Sequence, residues 1–528
     1  MAMDRTARIT LVATGLGLFM IFLDALIVNV GLPSIQASFK VGEAGLQWVV
    51  AAYSLGMAVF IMTAATLADL HGRRLWYVIG IAVFTVASIV CGLAPSLEVL
   101  NVARGVQGIA AATANVTSLA LVSAAFPDPK DKARAIGIWT AIASVGTAVG
   151  PTLGGFLVEH WGWRSIFLVN VPVGIAVVFL TLRCVKESRD ERPRTLDIVG
   201  QALFMVTVGA LAYAVIEGPK AGWTSPGIVT LFAVAAVGCA AFIWYERRHE
   251  DPMMDVSLFA DSGYALAIAT ICAVFFAIYG MLLLTTQFLQ NVRGFSPEQT
   301  GLIILPFSVA VTVVSPLVGR VVGRFGARPP ILVGLASLIA GLVVLMIAGH
   351  AGAAFVLLGL GLSGIGGALC LTPITAIAMT SVPPQRAGMA SGIMSAQRAI
   401  GSTVGFAVLG SVLAAWLTAT LEPDLATVLP NASERAAVAQ TIVQNANPRA
   451  HVAEVGPRRP ITHPDAATQA RIVAVADTDF IAGIRVALLV AVALLAAVLA
   501  IGWKWFPRAG GMVAGAEREE AKLARTEE

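Results

Sequence analysis

Leu23-Asp24-Ala25-Leu26-Ile27-Val28-Asn29-Val30-Gly31-Leu32-Pro33 closes the first long apolar run of the chain, which begins near Ile9. Between Arg8 and Lys40 the run carries a single charge, that of Asp24. About 20 consecutive apolar residues cross the ~30 Å hydrocarbon core of a bilayer as a helix, so the run reads as a membrane span. A carboxylate in hydrocarbon costs at least ~2.5 kcal/mol. An acid kept there faces a partner or a watery cavity, which makes Asp24 a functional candidate.

Thirteen further runs of spanning length follow, near 46–67, 75–94, 99–124, 135–158, 165–183, 198–216, 227–245, 263–285, 299–318, 330–348, 354–379, 388–416 and 481–503. Arg5 and Arg8 precede the first run and no small-x-small cleavage site follows it, so a retained helix is expected rather than a removed signal peptide. Of the 528 residues 57% are hydrophobic and 12% charged, against about 25% charged in a soluble domain. The fold class expected is an all-α polytopic membrane protein. The net charge of +4 does not point to nucleic acid, because the basic residues follow topology. With the N-terminus placed inside, 23 of the 35 Lys and Arg fall in cytoplasmic segments and 4 in the short external loops. This positive-inside bias predicts both termini in the cytoplasm. The five cysteines form no Cys-x-x-Cys pair, so neither a disulfide framework nor a zinc site is expected.

Two pairs of segments echo each other. Ala65-Thr66-Leu67-Ala68-Asp69-Leu70-His71-Gly72-Arg73-Arg74 resembles Gly319-Arg320-Val321-Val322-Gly323-Arg324-Phe325-Gly326-Ala327-Arg328, and Arg134-Ala135-Ile136-Gly137 resembles Arg386-Ala387-Gly388. They predict two six-helix bundles, 1–186 and 257–528, with a linker and two inserted helices at 187–256, an arrangement suited to rocking about a midplane site. The long loop 418–480 reads as solvated. Within it Ser433 is expected to cap a short helix through Asn445, and Pro464-Asp465 to start a helix that runs into the last span. The charged tail after Trp505 is expected to be disordered.

Among the 31 acidic residues Asp24 alone lies well inside a span. It stands about 14 Å along the helix from Pro33, and Arg104 stands about 10 Å from Leu97, so the two charges are expected at comparable depth. Burial favours a neutral acid and a nearby cation favours the carboxylate. A site that alternates between these surroundings can load a proton on one side and drop it on the other. Asp24 is expected to carry the proton and Arg104 to bias its release; a static pair that fixes helix packing is the plain alternative. Arg104, Gln107, Gly108, Ala111 and Asn115 share one helical face, which should point inward. Arg398, about 15 Å into the thirteenth run, is expected to face a cavity or a carbonyl. Gln287, Gln290 and Asn291 close the ninth run, where a solvated helix end is favoured over an exit lining. Gly359-Leu360-Gly361-Leu362-Ser363-Gly364 fits G-x-G-x-x-G, but it lies inside a span with no strand before it, so a dinucleotide site is rejected. No Walker loop is present, so the work of any transport must come from ion gradients.

Four stretches now carry a family resemblance: Leu23 to Pro33, Leu67-Ala68-Asp69 with Gly72-Arg73-Arg74, Arg104-Gly105-Val106-Gln107-Gly108, and Gly146-Thr147-Ala148-Val149-Gly150-Pro151-Thr152-Leu153-Gly154-Gly155. The stretch Trp163-Arg164-Ser165-Ile166-Phe167-Leu168-Val169-Asn170-Val171-Pro172 adds to them. The chain resembles the major facilitator superfamily, and within it the fourteen-helix drug:proton antiporters of the QacA/EmrB type, in an actinobacterial Stp-like branch of multidrug exporters. Ala65 and Leu70 depart from the Gly and Arg usual in the second motif.

The resemblance implies the major facilitator fold with fourteen transmembrane helices and proton-coupled multidrug efflux across the bacterial plasma membrane. Asp69, Gly72 and Arg73 would act as a conformational latch, with Arg386 as partner of Asp69. Gly146, Gly150, Pro151 and Gly154 would form the antiporter helix motif, a hinge or tight seal. Asn29, Gln107, Asn115, Gln287 and Arg398 are candidates for cavity lining. No cofactor is expected beyond the proton, and no covalent catalysis. The partners expected are small amphipathic or apolar drug-like molecules, protons and membrane lipids, with the monomer as the functional unit. One midspan carboxylate favours few protons per cycle and neutral or weakly charged substrates. Two other readings stay open: a dedicated exporter of an endogenous lipid, siderophore or metabolite, and a membrane receptor or scaffold on the same fold.

Overall fold

The computed structural model describes residues 5–189, 196–249, 252–380, 382, 387–445 and 466–506. Fourteen of its helices are long and apolar enough to cross a membrane. They are α1 (Arg5–Phe39), α2 (Glu43–His71), α3 (Arg73–Gly92), α4 (Leu97–Ala125), α5 (Pro129–Trp161), α6 (Ser165–Cys184), α7 (Ile198–Ala221), α8 (Pro226–Glu246), α9 (Ser262–Gln287), α10 (Pro297–Phe325), α11 (Arg328–Ala351), α12 (Ala353–Thr380), α13 (Ala387–Asp424) and α14 (Ala466–Trp505). The expected spans are therefore present, and the protein is a multi-pass membrane protein. An even number of crossings puts the start of α1 and the end of α14 at one face, called here the terminal face; the opposite one is the loop face.

Polar side chains and glycines punctuate the apolar runs. Ser96 and Ser225 accept from the third amides of α4 and α8, and Ser296 with Gln299 forms a reciprocal capping box at α10. Gly72 separates α2 from α3 at φ 120°, a conformation that favours glycine. The first apolar run ends at Pro33, and α1 runs on through it to Phe39. In α6 the helix breaks at Val169 and restarts at Asn170. Pro172 explains the break, because it has no N–H to give to the preceding turn.

Within α1–α6, α1 packs on α5, and α4 packs on both α2 and α3. The same pairing recurs later in the chain: α9 packs on α13, and α12 on both α10 and α11. Helices α7 and α8 pack on each other, and α7 touches α2 and α13. Three hydrogen bonds that link α1–α6 to α9–α14 lie toward the loop face. The Gln290 side chain donates to the Val30 carbonyl at 2.9 Å, the Glu298 amide to Glu159 at 3.1 Å, and the Thr152 hydroxyl to the Gly301 carbonyl at 3.4 Å. These contacts close the two sets of helices on each other near the loop face.

In the long loop a helix runs Ala432–Asn445. Its cap is not Ser433, as the sequence pattern had it. The Asn431 carboxamide oxygen accepts from the Ser433 amide at 3.1 Å, one residue before the helix begins. Asn is as good a cap as Ser, and the earlier of the two candidates caps the helix here. Helix α14 is continuous from Ala466 into the last span, as expected; Pro464 and Asp465 lie outside the described residues, as does the tail beyond 506.

Candidate functional site

Asp24 sits on the face of α1 that points into the first helices, and it is fully buried. Three side chains donate to its carboxylate. The Arg104 guanidinium approaches one oxygen at 2.5 Å, and Gln107 and Asn170 reach the other at 3.0 and 2.8 Å. The donors come from two different helices, α4 and α6, so the acid ties three helices together. Arg104 is also fully buried. Its Nε donates to the Val49 carbonyl on α2 at 3.0 Å, and its guanidinium lies 4.3 Å from the centre of the Tyr53 ring. Gln107 accepts from Arg104 at 2.7 Å and donates to Ser88 on α3 at 2.8 Å.

The result is a charge pair in a buried chamber walled by α1, α2, α3, α4 and α6. In such a place the attraction between the partners is strong, and loss of either leaves an uncompensated buried charge, at ~3–5 kcal/mol. Were the contact to Asp24 lost, Gln107 and the Val49 carbonyl would keep the arginine partly satisfied. Among the described residues Asp24 has no exposed surface, so an exchange of protons with water requires the chamber to open.

The sequence placed Asp24 and Arg104 at one depth, and the structure brings them into contact. Gln107 was expected as a cavity liner and instead belongs to the charge cluster. Asn170, Ser88 and Tyr53 were missed as partners. A signal for Asn170 existed, since it is the lone carboxamide in the 165–183 run. Replacing Asn170 by Ala removes a hydrogen bond to a charged group and is expected to cost about 2 kcal/mol of stability. Thermal unfolding of the purified protein in detergent measures it; an unchanged midpoint would show that water or Gln107 replaces the amide.

The other candidates scatter. Asn29 is 3% exposed and neither polar atom of its side chain has a hydrogen-bond partner among the described residues. Asn115 is half-buried on α4. Gln287 and Asn291 contradict the expectation of a solvated helix end, being 0% and 3% exposed. The reason is packing: every residue from Gly280 to Leu289 is buried, so the end of α9 and the π-helical turn Phe288–Val292 that follows it are enclosed by protein. Arg398 on α13 donates to the Thr375 hydroxyl at 3.3 Å.

Asp69 pairs with Arg73, four residues on across Gly72, at 2.8 Å. Arg386, its expected partner, lies outside the described residues. The start of α3 has another anchor that the motif reading missed. Glu187, after α6, accepts from the Arg74 amide at 2.9 Å and the Leu75 amide at 3.2 Å, and the Arg74 guanidinium donates to the Leu182 carbonyl at 2.7 Å. A carboxylate at a helix N-terminus satisfies free amides and suits the dipole. Glu187→Ala is expected to lower stability by about 1 kcal/mol, read from thermal unfolding, with Glu187→Gln recovering part of it.

The antiporter-motif glycines face α1. A Cβ at Gly146 would stand 2.6 Å from the Phe19 carbonyl oxygen, and one at Gly154 would stand 2.8 Å from that of Ile27. At Gly150 the nearest atom would be the Leu26 Cβ, at 3.2 Å. The neighbouring face of α5 meets α10, where a Cβ at Gly301 would stand 2.4 Å from the Pro151 carbonyl oxygen and one at Gly155 would stand 2.3 Å from that of Pro297. The motif therefore serves two backbone-to-backbone contacts, one within the early helices and one across the seal.

Residues 14–406 match the family model described as Major Facilitator Superfamily. The chain is 68% identical over 506 residues to the multidrug resistance protein Stp of Mycobacterium tuberculosis (strain ATCC 25618 / H37Rv), covering 96% of this chain and 93% of that one. It is 45% identical to the drug efflux pump JefA of the same strain, covering 95% and 98%. Among solved structures it is similar to a bacterial homolog of the human lysosomal transporter Spinster in an inward-facing and occupied conformation, with a TM-score of 0.64, 17% identity and coverage of 95% and 97%.

Proposed function

The chain belongs to the Major Facilitator Superfamily, and on that footing we propose that it exports drug-like molecules across the bacterial plasma membrane in exchange for protons. Relatives named for multidrug resistance and drug efflux support the substrate class. The observation that carries the coupling is the buried Asp24, held by Arg104, Gln107 and Asn170. In this reading Asp24 is the proton carrier, Arg104 competes with the proton for the carboxylate, and no covalent chemistry is performed.

The positive-inside bias puts the terminal face in the cytoplasm. The loop-face seal then corresponds to a state closed to the outside. Residues 1–186 and 257–528 move as two bundles, with 187–256 bridging them. Asp69, Gly72, Arg73 and Arg386 latch the cytoplasmic side in the opposite state. Gly146, Gly150, Pro151 and Gly154 let α5 pivot on α1 while the seal to α10 opens and closes. The monomer, surrounded by lipid, is the working unit.

One proton entering down ~100 mV gains about 2.3 kcal/mol, and a pH difference of ~1 adds about 1.4 kcal/mol. Together they sustain roughly a 500-fold gradient of a neutral substrate at one proton per cycle. The test is reconstitution into liposomes with a neutral dye, N-phenyl-1-naphthylamine, and a cationic one, ethidium. An imposed pH gradient is expected to move dye against its gradient, with proton movement recorded by a trapped pH indicator. Dye distribution indifferent to the gradient would reject antiport. Comparison of envelope lipids between knockout and parent cells tests export of an endogenous lipid.

A further inference from the structure

Arg398 is a second arginine deep in a span, and its surroundings differ from those of Arg104. It lies eleven residues into α13, about 16 Å along the helix. Among the described residues no carboxylate pairs with it. Among the described residues it donates to the Thr375 hydroxyl on α12, at 3.3 Å, and its Nε finds no hydrogen-bond partner. The guanidinium stands 5.8 Å from the centre of the Phe275 ring on α9. Phe275 and Tyr279 stack at 5.8 Å between centres, with 20° between their planes. Tyr279 in turn packs against both major apolar clusters, including the one that holds Leu23 and Ile27 beside Asp24. It lies within electrostatic reach of Arg398 on one side and of Tyr53, the residue under Arg104, on the other. Phe275 and Tyr279 thus extend from the cation on α13 toward the helices that hold Asp24.

A guanidinium placed in a span is retained at a cost and usually serves a partner. Its planar fork matches a carboxylate or sulfonate, and the adjoining rings suit a flat apolar body. We propose that Arg398 is the anion-binding point of the substrate site, and that the molecules carried include amphiphiles with one acidic group on an aromatic or apolar body. The inference rests on the efflux reading and refines it. The acidic group takes the fork of Arg398, and the body lies along Phe275 and Tyr279. A monoanion leaving as a proton enters moves two charges in the favourable sense, so its export responds more steeply to voltage than export of a neutral molecule.

The test uses two probes with one skeleton, 8-anilinonaphthalene-1-sulfonate, which is anionic, and N-phenyl-1-naphthylamine, which is neutral. Binding is measured by fluorescence to the full chain in nanodiscs of phosphatidylcholine, with protein-free nanodiscs subtracted. Arg398→Gln is expected to weaken the anionic probe at least tenfold and to leave the neutral probe within twofold, with Arg398→Lys in between. Equal weakening of both probes, or no weakening of either, would overturn the inference. A lipid phosphate is the other source of the same chemistry. If added phosphatidylglycerol displaces the anionic probe from the parent protein, Arg398 holds lipid and the substrate reading fails. Gradient-driven movement of the neutral dye by Arg398→Gln in liposomes separates the two levels. Its presence with no discrimination between probes rejects the anion subsite alone, and its absence in the parent protein rejects efflux.

Discussion

Asp24→Asn is expected to lower gradient-driven efflux at least a hundredfold while leaving the protein inserted in the membrane. The substitution keeps the size of the side chain and its ability to accept from Gln107 and Asn170. What it removes is the group that can exchange a proton and the counter-charge of Arg104. The orphaned guanidinium keeps Gln107, the Val49 carbonyl and the Tyr53 ring, so part of the ~3–5 kcal/mol cost of a broken buried pair is recovered. Loss of stability and loss of coupling are separable. Asp24→Asn combined with Arg104→Gln removes both charges and is expected to restore thermal stability without restoring efflux. Dye exchange in the absence of any gradient should persist in the single variant, because movement of the bundles does not depend on a titrating group in that mode. Recovery of gradient-driven efflux in the double variant would sink the proton-carrier role.

Gly301→Leu is expected to have the second largest effect, through conformation. The Cβ alone would approach the Pro151 carbonyl oxygen to 2.4 Å, and a helix backbone gives way only by moving the whole helix. Overpacking of this kind costs ~1–3 kcal/mol in a well-packed core. Here the cost falls only on the state sealed at the loop face. A penalty of that size shifts the balance between states by roughly 5- to 150-fold. The protein should therefore rest open at the loop face, with efflux reduced at least tenfold and fold stability nearly intact. Spin labels at Phe156→Cys on α5 and Leu302→Cys on α10, in a Cys239→Ser background, report the separation. Widening relative to the parent is the expected result; an unchanged distance with lost activity would mean that the contact is not a seal. Gly155→Leu, whose Cβ would meet the Pro297 carbonyl oxygen at 2.3 Å, should behave alike.

The spans were legible because a bilayer demands a long apolar run and little else, and fourteen such runs stand out against the polar turns. The pairing of Asp24 with Arg104 was legible from depth alone, since two opposite charges at one level in hydrocarbon have few alternatives. Asn170 was not, because its contact depends on how α6 breaks at Val169 and how it rotates against α1. Gln107 shows the same limit. Its helical face was read correctly, but whether that face meets a cavity or a carboxylate is a matter of packing between helices. Gln287 and Asn291 were misplaced because the end of α9 is buried on every face, from Gly280 to Leu289, and an apolar run does not show whether its end meets protein or solvent. Asp69 is a third case: among the described residues it pairs with Arg73, while Arg386, the distant partner expected, lies outside them.

The most direct test of the proton on Asp24 is release on substrate binding. Purified protein in weakly buffered detergent is mixed with N-phenyl-1-naphthylamine, and a pH indicator counts protons set free per chain. In solution acidic enough for a proton to hold Asp24 apart from Arg104, arriving substrate restores the contact; the parent protein then releases up to one proton per chain and Asp24→Asn releases none. Release of the same size from both proteins, or from neither while the dye still binds, would contradict it.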